Sequence, residues 1–186
     1  WPFIDQMNPS AAALAGPMTR EELFDVVDER DEVVGVAPRR QVHAEGLRHR
    51  AAHVLVFDPQ GRLYVQRRAF TKDNSPGCWD TSAAGHLDSG EDYLAAALRE
   101  LGEELGVAPD QPLEALCRFE ASADTGQEFV WVYRAVVSAP LCPDPLEIID
   151  GRWCTLDELG EWLRRAPGDF TGTFRRILAV LATPSP

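Results

Sequence analysis

The chain has 186 residues, 45% of them hydrophobic, and a formal net charge of −12 at pH 7, which predicts one folded domain with a substantial core. The negative charge disfavours binding to nucleic acid or to an anionic membrane surface. We expect a cytoplasmic protein with reduced thiols, because no apolar run approaches a membrane span, no secretory signal pattern is present, and the four cysteines form no Cys-x-x-Cys pair.

The first twenty residues contain three prolines and no sustained hydrophobic period. This composition predicts a flexible leader at residues 1–20. The remaining residues, 21–183, are predicted to form a single domain, because neither an internal repeat nor a long linker interrupts their pattern.

Apolar runs separated by turn residues predict the first strands. Residues 23–36 place two such runs about a charged turn, which indicates a β-hairpin. Strands at 51–57 and 62–67 flank the Asp-Pro-Gln-Gly turn at 58–61 and indicate a second hairpin.

A helix is predicted at about 90–105, with further strands and helices beyond it. The predicted strands are 113–121, 128–137 and 151–154, and the predicted helices run from a cap at Thr155 or Asp157 to about 165 and from a cap at Thr171 or Thr173 to 182. Strands on either side of a central helix, followed by terminal helices, predict mixed α/β layers.

The central helix has two distinct sides. Ser89 and Asp92 form a capping-box pattern at its start, and Gly106 is a natural stop. At roughly 100° per residue, four leucines form a stripe that is predicted to face the core, while three glutamates share the opposite side. The leucines are Leu94, Leu98, Leu101 and Leu105, and the glutamates are Glu100, Glu103 and Glu104.

This acidic patch is unfavourable for a helix by itself. Carboxylates in a last turn oppose the negative end of the helix dipole, at roughly 0.3–1 kcal/mol each, and they also repel one another. Arg99, one turn before Glu103, offsets only part of this charge. A bound divalent cation would supply the rest, since Mg²⁺ prefers carboxylate oxygens and substrate phosphates. A solvated acidic face is the alternative interpretation of the same pattern.

The spacing of fixed residues over 85–107 favours the metal-binding interpretation over a solvated acidic face. The fixed positions are Gly85, Glu91, Arg99-Glu100-Leu101, Glu103-Glu104 and Gly106-Val107. This loop-helix pattern resembles the Nudix box. The resemblance implies an α/β/α sandwich around a mixed β-sheet and hydrolysis of a diphosphate linkage. It also implies Mg²⁺ or Mn²⁺ held by Glu100, Glu103 and Glu104, with the Gly85 carbonyl as a further ligand.

The segment before the box carries candidate substrate contacts. Residues 68–86 are similar to part of isopentenyl diphosphate isomerase, a relative with the Nudix fold, whose arginine and lysine matching Arg68 and Lys72 contact the diphosphate. The same side chains would otherwise serve surface solubility. Trp79 is predicted to stack on a base or cover an apolar group, or else to lie in the core.

The resemblance to the isomerases extends to three histidines. His49 and His86 fit positions where that family holds its metal, and His43 lies near a third after a one-residue shift. His86 directly follows Gly85 and is assigned to the predicted metal site. For His43 and His49, ordinary hydrogen bonding at a strand entry stays an open alternative.

Two departures count against isomerisation. The isomerases need a catalytic cysteine where this chain has Ala84, and Cys78 lies six positions too early to replace it. They also use a pair of glutamates, of which Glu128 preserves one while Gly126 replaces the other. The complete Arg-Glu-Leu-x-Glu-Glu run instead matches the hydrolase form of the box.

These observations predict a Mg²⁺- or Mn²⁺-dependent Nudix hydrolase of the isomerase-like branch that acts on a small-molecule diphosphate. Its predicted catalytic set is Glu103, Glu128 and Arg99, with Glu103 or Glu128 taking the proton from water and Glu120 as the next candidate. Two alternatives stay open: an isopentenyl diphosphate isomerase, and a non-catalytic module that senses a diphosphate. A homodimer is the base-rate expectation.

Overall fold

The computed structural model describes residues 21–182, so the predicted leader at 1–20 and residue 183 of the predicted domain lie outside the described residues. The strands are β1 (Leu23–Val27), β2 (Val33–Pro38), β3 (His49–Phe57), β4 (Leu63–Arg68), β5 (Trp79–Asp80), β6 (Ala83–His86), β7 (Glu114–Phe119), β8 (Glu128–Val136) and β9 (Ile148–Cys154). The α-helices are α1 (Arg39–Glu45), α2 (Tyr93–Leu105), α3 (Leu156–Arg165) and α4 (Gly172–Leu181). None of these helices combines the length and the apolar character that crossing a membrane requires.

A seven-stranded mixed sheet forms the centre of this part of the chain. Its order is β5-β4-β3-β8-β7, with β6 also paired to β3 and β9 also paired to β4. Strands β3 and β8 run parallel, and their register places His49 beside Glu128. β1 and β2 form the predicted first hairpin, a separate two-stranded sheet.

Helices cover both faces of the central sheet. Side chains alternate along β3, so Leu55 packs with Phe174 of α4 on one face while Val54 packs with Leu101 of α2 on the other. All four residues are buried. The predicted α/β/α sandwich around a mixed sheet is therefore confirmed.

The predicted second hairpin is wrong in its pairing. The Asp58 carboxylate accepts hydrogen bonds from the backbone N–H groups of Gln60 and Arg62, which fixes the turn. However, β3 and β4 pair only at Phe57 and Leu63. Beyond that pair β3 bonds to β6 and β8, while β4 bonds to β5 and β9. The turn residues reverse the chain locally, whereas the tertiary structure selects the strand partners.

Three short elements, α1, β5 and β6, were not predicted from the sequence. Helix α1 follows Pro38 and ends at Gly46, whose φ of 62° is a left-handed conformation that glycine tolerates. Its one buried residue is Val42, so it lacks the apolar stripe that reveals longer helices. Strand β6 has four small or polar residues and takes its extended form by pairing with β3.

Helix α2 begins later than the capping-box pattern predicted. Its N-cap is Asp92, whose carboxylate accepts a hydrogen bond of 2.8 Å from the Ala95 backbone N–H. The Ser89 hydroxyl instead donates to the Asp25 carboxylate of β1 at 2.7 Å. Ser89 therefore ties the loop before α2 to the first hairpin and does not cap the helix.

The predicted core face of α2 is also partly wrong. Leu101 is fully buried, but Leu94 and Leu98 are 45% and 43% exposed, whereas Glu100 and Glu104 are only 9% and 6% exposed. The helix lies against β6, whose alanines and glycine leave room for carboxylates. Tertiary packing therefore turns two glutamates inward and overrides the leucine stripe.

The later elements agree with the sequence more closely. Thr155 caps α3 in a capping box with Glu158, and Thr171 caps α4 by accepting a hydrogen bond from the Phe174 N–H. These caps decide between the alternatives that the sequence left open. Strands β7, β8 and β9 occupy the predicted regions with boundaries shifted by a few residues.

Candidate active site

A cavity of about 750 Å³ lies between α2, β6 and the N-terminal end of α4. Its lining brings together nearly all the predicted site residues: Arg68, Lys72, Gly85, His86, Arg99, Glu100, Glu103, Glu104 and Glu128. These residues come from four separate parts of the sequence, so the sheet and α2 assemble the site.

Two glutamates one turn apart on α2, Glu100 and Glu104, form what we call the acidic pair. The Gln66 side-chain amide donates a hydrogen bond of 2.7 Å to Glu104 Oε2. A Cβ atom at Gly85 would overlap the Glu100 carboxylate, so glycine is required where β6 meets the helix. The Nudix-box glycine therefore has a steric role that is independent of metal binding.

Burial makes the acidic pair difficult to ionise. Burial, and then the neighbouring Glu100 carboxylate, raises the pKa of Glu104 to about 8. Burial also raises the pKa of Glu100, although Arg99 opposes this change. Two buried carboxylates in contact with a cavity are an arrangement that a bound divalent cation would stabilise.

Arg99 connects the acidic pair to the loop before α2. Its Nε and Nη2 atoms donate to the two Glu91 oxygens, each at 2.9 Å, and Nη2 also donates to the His86 carbonyl at 3.0 Å. Its Nη1 atom donates to Glu100 at 2.6 Å and to Glu103 at 3.2 Å. The hydrogen bonds to Glu91 contribute most to raising the pKa of Arg99, so this guanidinium stays charged. These contacts join α2 to the loop before it, and the predicted catalytic role of Arg99 stays a prediction.

Glu103 differs from the acidic pair. Its side chain is 61% exposed and contacts Arg99, although it reaches the cavity wall. Within residues 21–182, Glu100, Glu103 and Glu104 do not form a group whose ligand atoms all lie within 4.8 Å of one another. The role of Glu103 as a ligand or base thus stays a prediction.

A second group, His43, His49 and His86, forms what we call the histidine cluster. One ring nitrogen from each residue lies within 4.8 Å of the others. His49 Nδ1 lies 2.9 Å from the Leu47 carbonyl, and the buried Nε2 atoms of His43 and His49 have no hydrogen-bond partner among the described residues. In a neutral imidazole, the nitrogen that hydrogen-bonds to a carbonyl oxygen carries the proton. The lone pair of that form of His49 is then on Nε2.

Glu128 lies at the edge of the histidine cluster. Its Oε1 atom is 3.0 Å from His86 Nε2 and 3.5 Å from His49 Nε2. Burial alone would raise the pKa of Glu128, but the neighbouring His49 and His86 rings hold it well below its usual range. Burial, followed by the charge of the other two histidines, lowers the pKa of His43 to about 4.

Both groups have the donor chemistry of metal sites. The buried Nε2 atoms of His43 and His49, which have no hydrogen-bond partner among the described residues, fit a cation that accepts imidazole ligands. The acidic pair offers carboxylate oxygens, which suit Mg²⁺ or Mn²⁺. The residues present therefore fit the divalent cations that the Nudix box implies.

Cationic side chains line another part of the same cavity. The Arg68 Nη1 atom donates to the buried Asp80 carboxylate at 3.2 Å, and Lys72 forms an ion pair with Glu147. Burial lowers the pKa of Lys72. Arg39 also lines the cavity, and the sequence did not predict it. The one available signal was the Arg39-Arg40 pair shortly before His43. This pair lies more than forty residues before the box, so the sequence did not connect the two.

Trp79 does not contact the cavity, contrary to its predicted role in substrate binding. Its side chain is 5% exposed and lies in the core, with its ring centroid 5.1 Å from that of Trp162. The Arg152 guanidinium covers it at 4.8 Å. Strand β5 directs Trp79 towards α3 and α4, so the core alternative is the correct one. Glu120, the further candidate base, pairs with Arg118 outside the cavity lining.

The two departures from the isomerase pattern both lie at the cavity. Ala84 and Gly126 line it, in the places where the resemblance requires a cysteine and a second glutamate. A methyl group and a hydrogen atom cannot transfer protons. Both substitutions therefore lie in the wall of the cavity.

Comparison with known proteins agrees with this geometry. The family model for the NUDIX domain matches residues 47–174. An isopentenyl-diphosphate Delta-isomerase of Streptomyces avermitilis is 40% identical over 84% of this chain and 81% of its own length, and one of Burkholderia multivorans is 35% identical over 88% and 95%. An uncharacterized Nudix hydrolase of Yersinia pestis is 36% identical over 83% and 80%.

Among solved structures, the crystal structure of DR0079 from Deinococcus radiodurans matches with a TM-score of 0.75 and 32% identity, covering 87% of this chain and all of that chain. The two proteins therefore share the fold over most of this chain. The family model, these relatives and the geometry of the box all indicate one family. The chain belongs to the Nudix superfamily, in the branch that resembles the isopentenyl-diphosphate isomerases.

Proposed function

We propose that the protein is a divalent-metal-dependent hydrolase that cleaves the diphosphate linkage of a small organic diphosphate. One observation carries this proposal: a single cavity holds two buried carboxylates, Glu100 and Glu104, together with the cationic side chains Arg39, Arg68 and Lys72. Carboxylates suit the cation and cationic groups suit phosphate oxygens, so the cavity has both halves of a metal–diphosphate site.

Different side chains of the cavity would bind the phosphates and orient the acidic pair. Arg68 and Lys72, with Arg39 beside them, would bind phosphate oxygens through charge-assisted hydrogen bonds. Arg99 holds α2 against the loop, which fixes the position of the acidic pair. A cation bound by the acidic pair would stabilise the negative charge that develops on the phosphoryl oxygens during cleavage.

A substrate panel with a matched pair of variants tests this proposal. Wild-type protein is incubated with ADP-ribose, a nucleotide sugar, a dinucleoside polyphosphate, thiamine diphosphate and geranyl diphosphate, with Mg²⁺, Mn²⁺ or EDTA, and the products are separated by chromatography. We expect metal-dependent hydrolysis of at least one compound. The double variant Glu100→Gln, Glu104→Gln should be inactive, and Glu120→Gln, which alters an exposed glutamate outside the cavity, should retain activity. No hydrolysis of any compound, or equal activity in all three proteins, would contradict the proposal.

Isomerisation of isopentenyl diphosphate is the second candidate function. It is supported by the histidine cluster with Glu128, and by the names of the Streptomyces and Burkholderia relatives. Ala84 and Gly126 oppose it. Proton NMR of isopentenyl diphosphate incubated with the protein and metal would detect dimethylallyl diphosphate. We expect none from wild type, and product formation at an enzymatic rate would reverse the order of the two candidates.

A further inference from the structure

His53 is a cavity residue that neither the acidic pair nor the histidine cluster includes. It lies on β3, four residues after His49, and is paired with Ala84 across the β3–β6 ladder. Paired residues on neighbouring strands project from the same face, and both of these side chains line the cavity. The imidazole therefore lies beside the position where the isomerase pattern has its cysteine.

One nitrogen of His53 is already engaged. Its Nδ1 atom is 2.8 Å from the Thr81 hydroxyl oxygen, and that hydroxyl can donate to the Ala83 carbonyl at 3.4 Å. The hydroxyl oxygen therefore accepts from Nδ1–H, which leaves the lone pair on Nε2. No hydrogen bond to Nε2 is found among residues 21–182. Nε2 is thus the ring nitrogen left to interact with a molecule in the cavity.

The surroundings of His53 favour the neutral ring. Burial is the largest effect and lowers the pKa of His53. Asp80 on β5 and Glu128 on β8 oppose this change, whereas Arg68 on β4 and His86 on β6 reinforce it. A neutral imidazole with a free lone pair can accept a proton at neutral pH.

The two bases predicted from the sequence are less suitable. The Glu128 carboxylate already interacts with both His49 and His86, so it is less available to an attacking water. Glu103 is mostly exposed and accepts a hydrogen bond from Arg99. His53 combines a buried position in the cavity wall with a ring nitrogen that has no hydrogen bond among residues 21–182.

We propose that His53 is the general base of the hydrolytic reaction, a role that rests on the proposed function. In this step the proton of an attacking water moves to His53 Nε2 while the water oxygen forms a bond to phosphorus. The bond from that phosphorus to the departing phosphate oxygen breaks, and the oxygen keeps the electron pair. Thr81 is a positioning residue, because its hydroxyl holds the proton on Nδ1.

Kinetics on the substrate identified by the panel test this role. The variant His53→Gln should lower kcat by roughly 10²–10⁴-fold, the usual contribution of a general base, with KM little changed. Imidazole added to the buffer should restore part of the activity. Thr81→Val should lower kcat less and Thr81→Ser should restore it, since serine keeps the hydroxyl. A rise in KM with an unchanged kcat in His53→Gln would overturn the role of His53.

NMR gives a readout that does not depend on turnover. Proton–nitrogen correlation spectra of wild type at pH 7 should show His53 protonated at Nδ1 only, and the Nε2 signal should shift when imidodiphosphate, a poorly hydrolysed analogue, is added with Mg²⁺. In Thr81→Val the Nδ1–H preference should weaken. A doubly protonated ring at pH 7, or an Nε2 chemical shift that stays unchanged when imidodiphosphate is added, would overturn the proposal. This holds even if His53→Gln fails to fold.

The outcomes separate this inference from the proposed function. If wild type hydrolyses no diphosphate in the panel, the hydrolase and the base are both overturned. If wild type is active and His53→Gln retains its kcat in a folded protein, only the role of His53 is overturned, and the hydrolase proposal stands.

Discussion

The acidic pair and the histidine cluster are neighbours, and burial shifts pKa values in opposite directions in the two groups. Gly85 contacts Glu100 and the next residue, His86, belongs to the cluster, because successive residues of β6 face opposite sides. Burial raises the pKa of both glutamates of the acidic pair, whereas it lowers the pKa of His43. One strand of four residues therefore borders two groups of candidate ligands. Only the acidic pair becomes negatively charged on ionisation, so only this pair needs a cation to offset its charge.

The two groups also differ in ligand chemistry. Carboxylate oxygens prefer Mg²⁺ and similar hard cations, and imidazole nitrogens suit transition metals. If hydrolysis takes place at the acidic pair, loss of one carboxylate should matter far more than loss of one imidazole. Variants of each group test whether the two are as distinct as their geometry indicates.

The largest expected effect concerns activity. Glu100→Gln should lower kcat by roughly 10²–10³-fold, comparable to losing one group that stabilises transition-state charge. His49→Gln should lower it by less than about tenfold, since it leaves the acidic pair intact. Steady-state kinetics in Mg²⁺, with circular dichroism as the control for folding, would measure both. Equal losses in the two variants would show that the two groups act as one site.

The next effect is on stability. Leu101→Ala should reduce the free energy of unfolding by about 2–5 kcal/mol, because Leu101 is fully buried against the sheet. Leu98→Ala, on the exposed face of the same helix, should change it by no more than ~0.5 kcal/mol. Urea denaturation of this matched pair measures the difference. Similar losses would support the leucine stripe that the sequence predicted and would contradict the inward orientation of the acidic pair.

A third prediction uses pH. The folded-state pKa of Glu104 is raised to about 8 from an unfolded value near 4.5, so its contribution to stability is full below pH 4.5 and is lost as pH rises through 8. In EDTA, Glu104→Gln should therefore gain stability relative to wild type as pH rises through this window, by at most about 1.4 kcal/mol for each pH unit. Melting temperatures at several pH values would show it.

Metal provides the control for the pH experiment. Saturating Mg²⁺ should stabilise wild type at pH 8 and remove the advantage of Glu104→Gln, since the cation binds the ionised pair. Leu98→Ala, which removes no titratable group, should show the same pH dependence as wild type in EDTA. A pH-independent difference between Glu104→Gln and wild type would contradict the unfavourable ionisation of the acidic pair.

The smallest expected effect lies on the cationic side of the cavity. Asp80→Asn should weaken the orientation of Arg68 and raise KM by roughly tenfold, equivalent to one charge-assisted hydrogen bond of ~1.5 kcal/mol. Its kcat should change less than its KM, because Asp80 hydrogen-bonds to Arg68 and to neither His53 nor the acidic pair. Steady-state kinetics would separate the two parameters. A lowered kcat with an unchanged KM would indicate that Asp80 acts on the reaction itself.

The sequence alone was sufficient for the features that depend on local spacing. The run from Gly85 to Val107 identified the loop, the helix and the acidic residues, because a helix fixes the relative positions of residues three and four apart. The caps at Thr155 and Thr171 were predicted for the same reason, since each bonds within one turn.

Tertiary structure decided everything that depended on which elements meet. It turned Glu100 and Glu104 inward against β6, placed Trp79 in the core, and brought His43 and His86 together from distant parts of the sequence. It also set His53 opposite Ala84, a pairing that no local pattern encodes. Strand pairing and packing are chosen by the burial of the whole domain, so the side chains that share a cavity are determined only when the sheet is assembled.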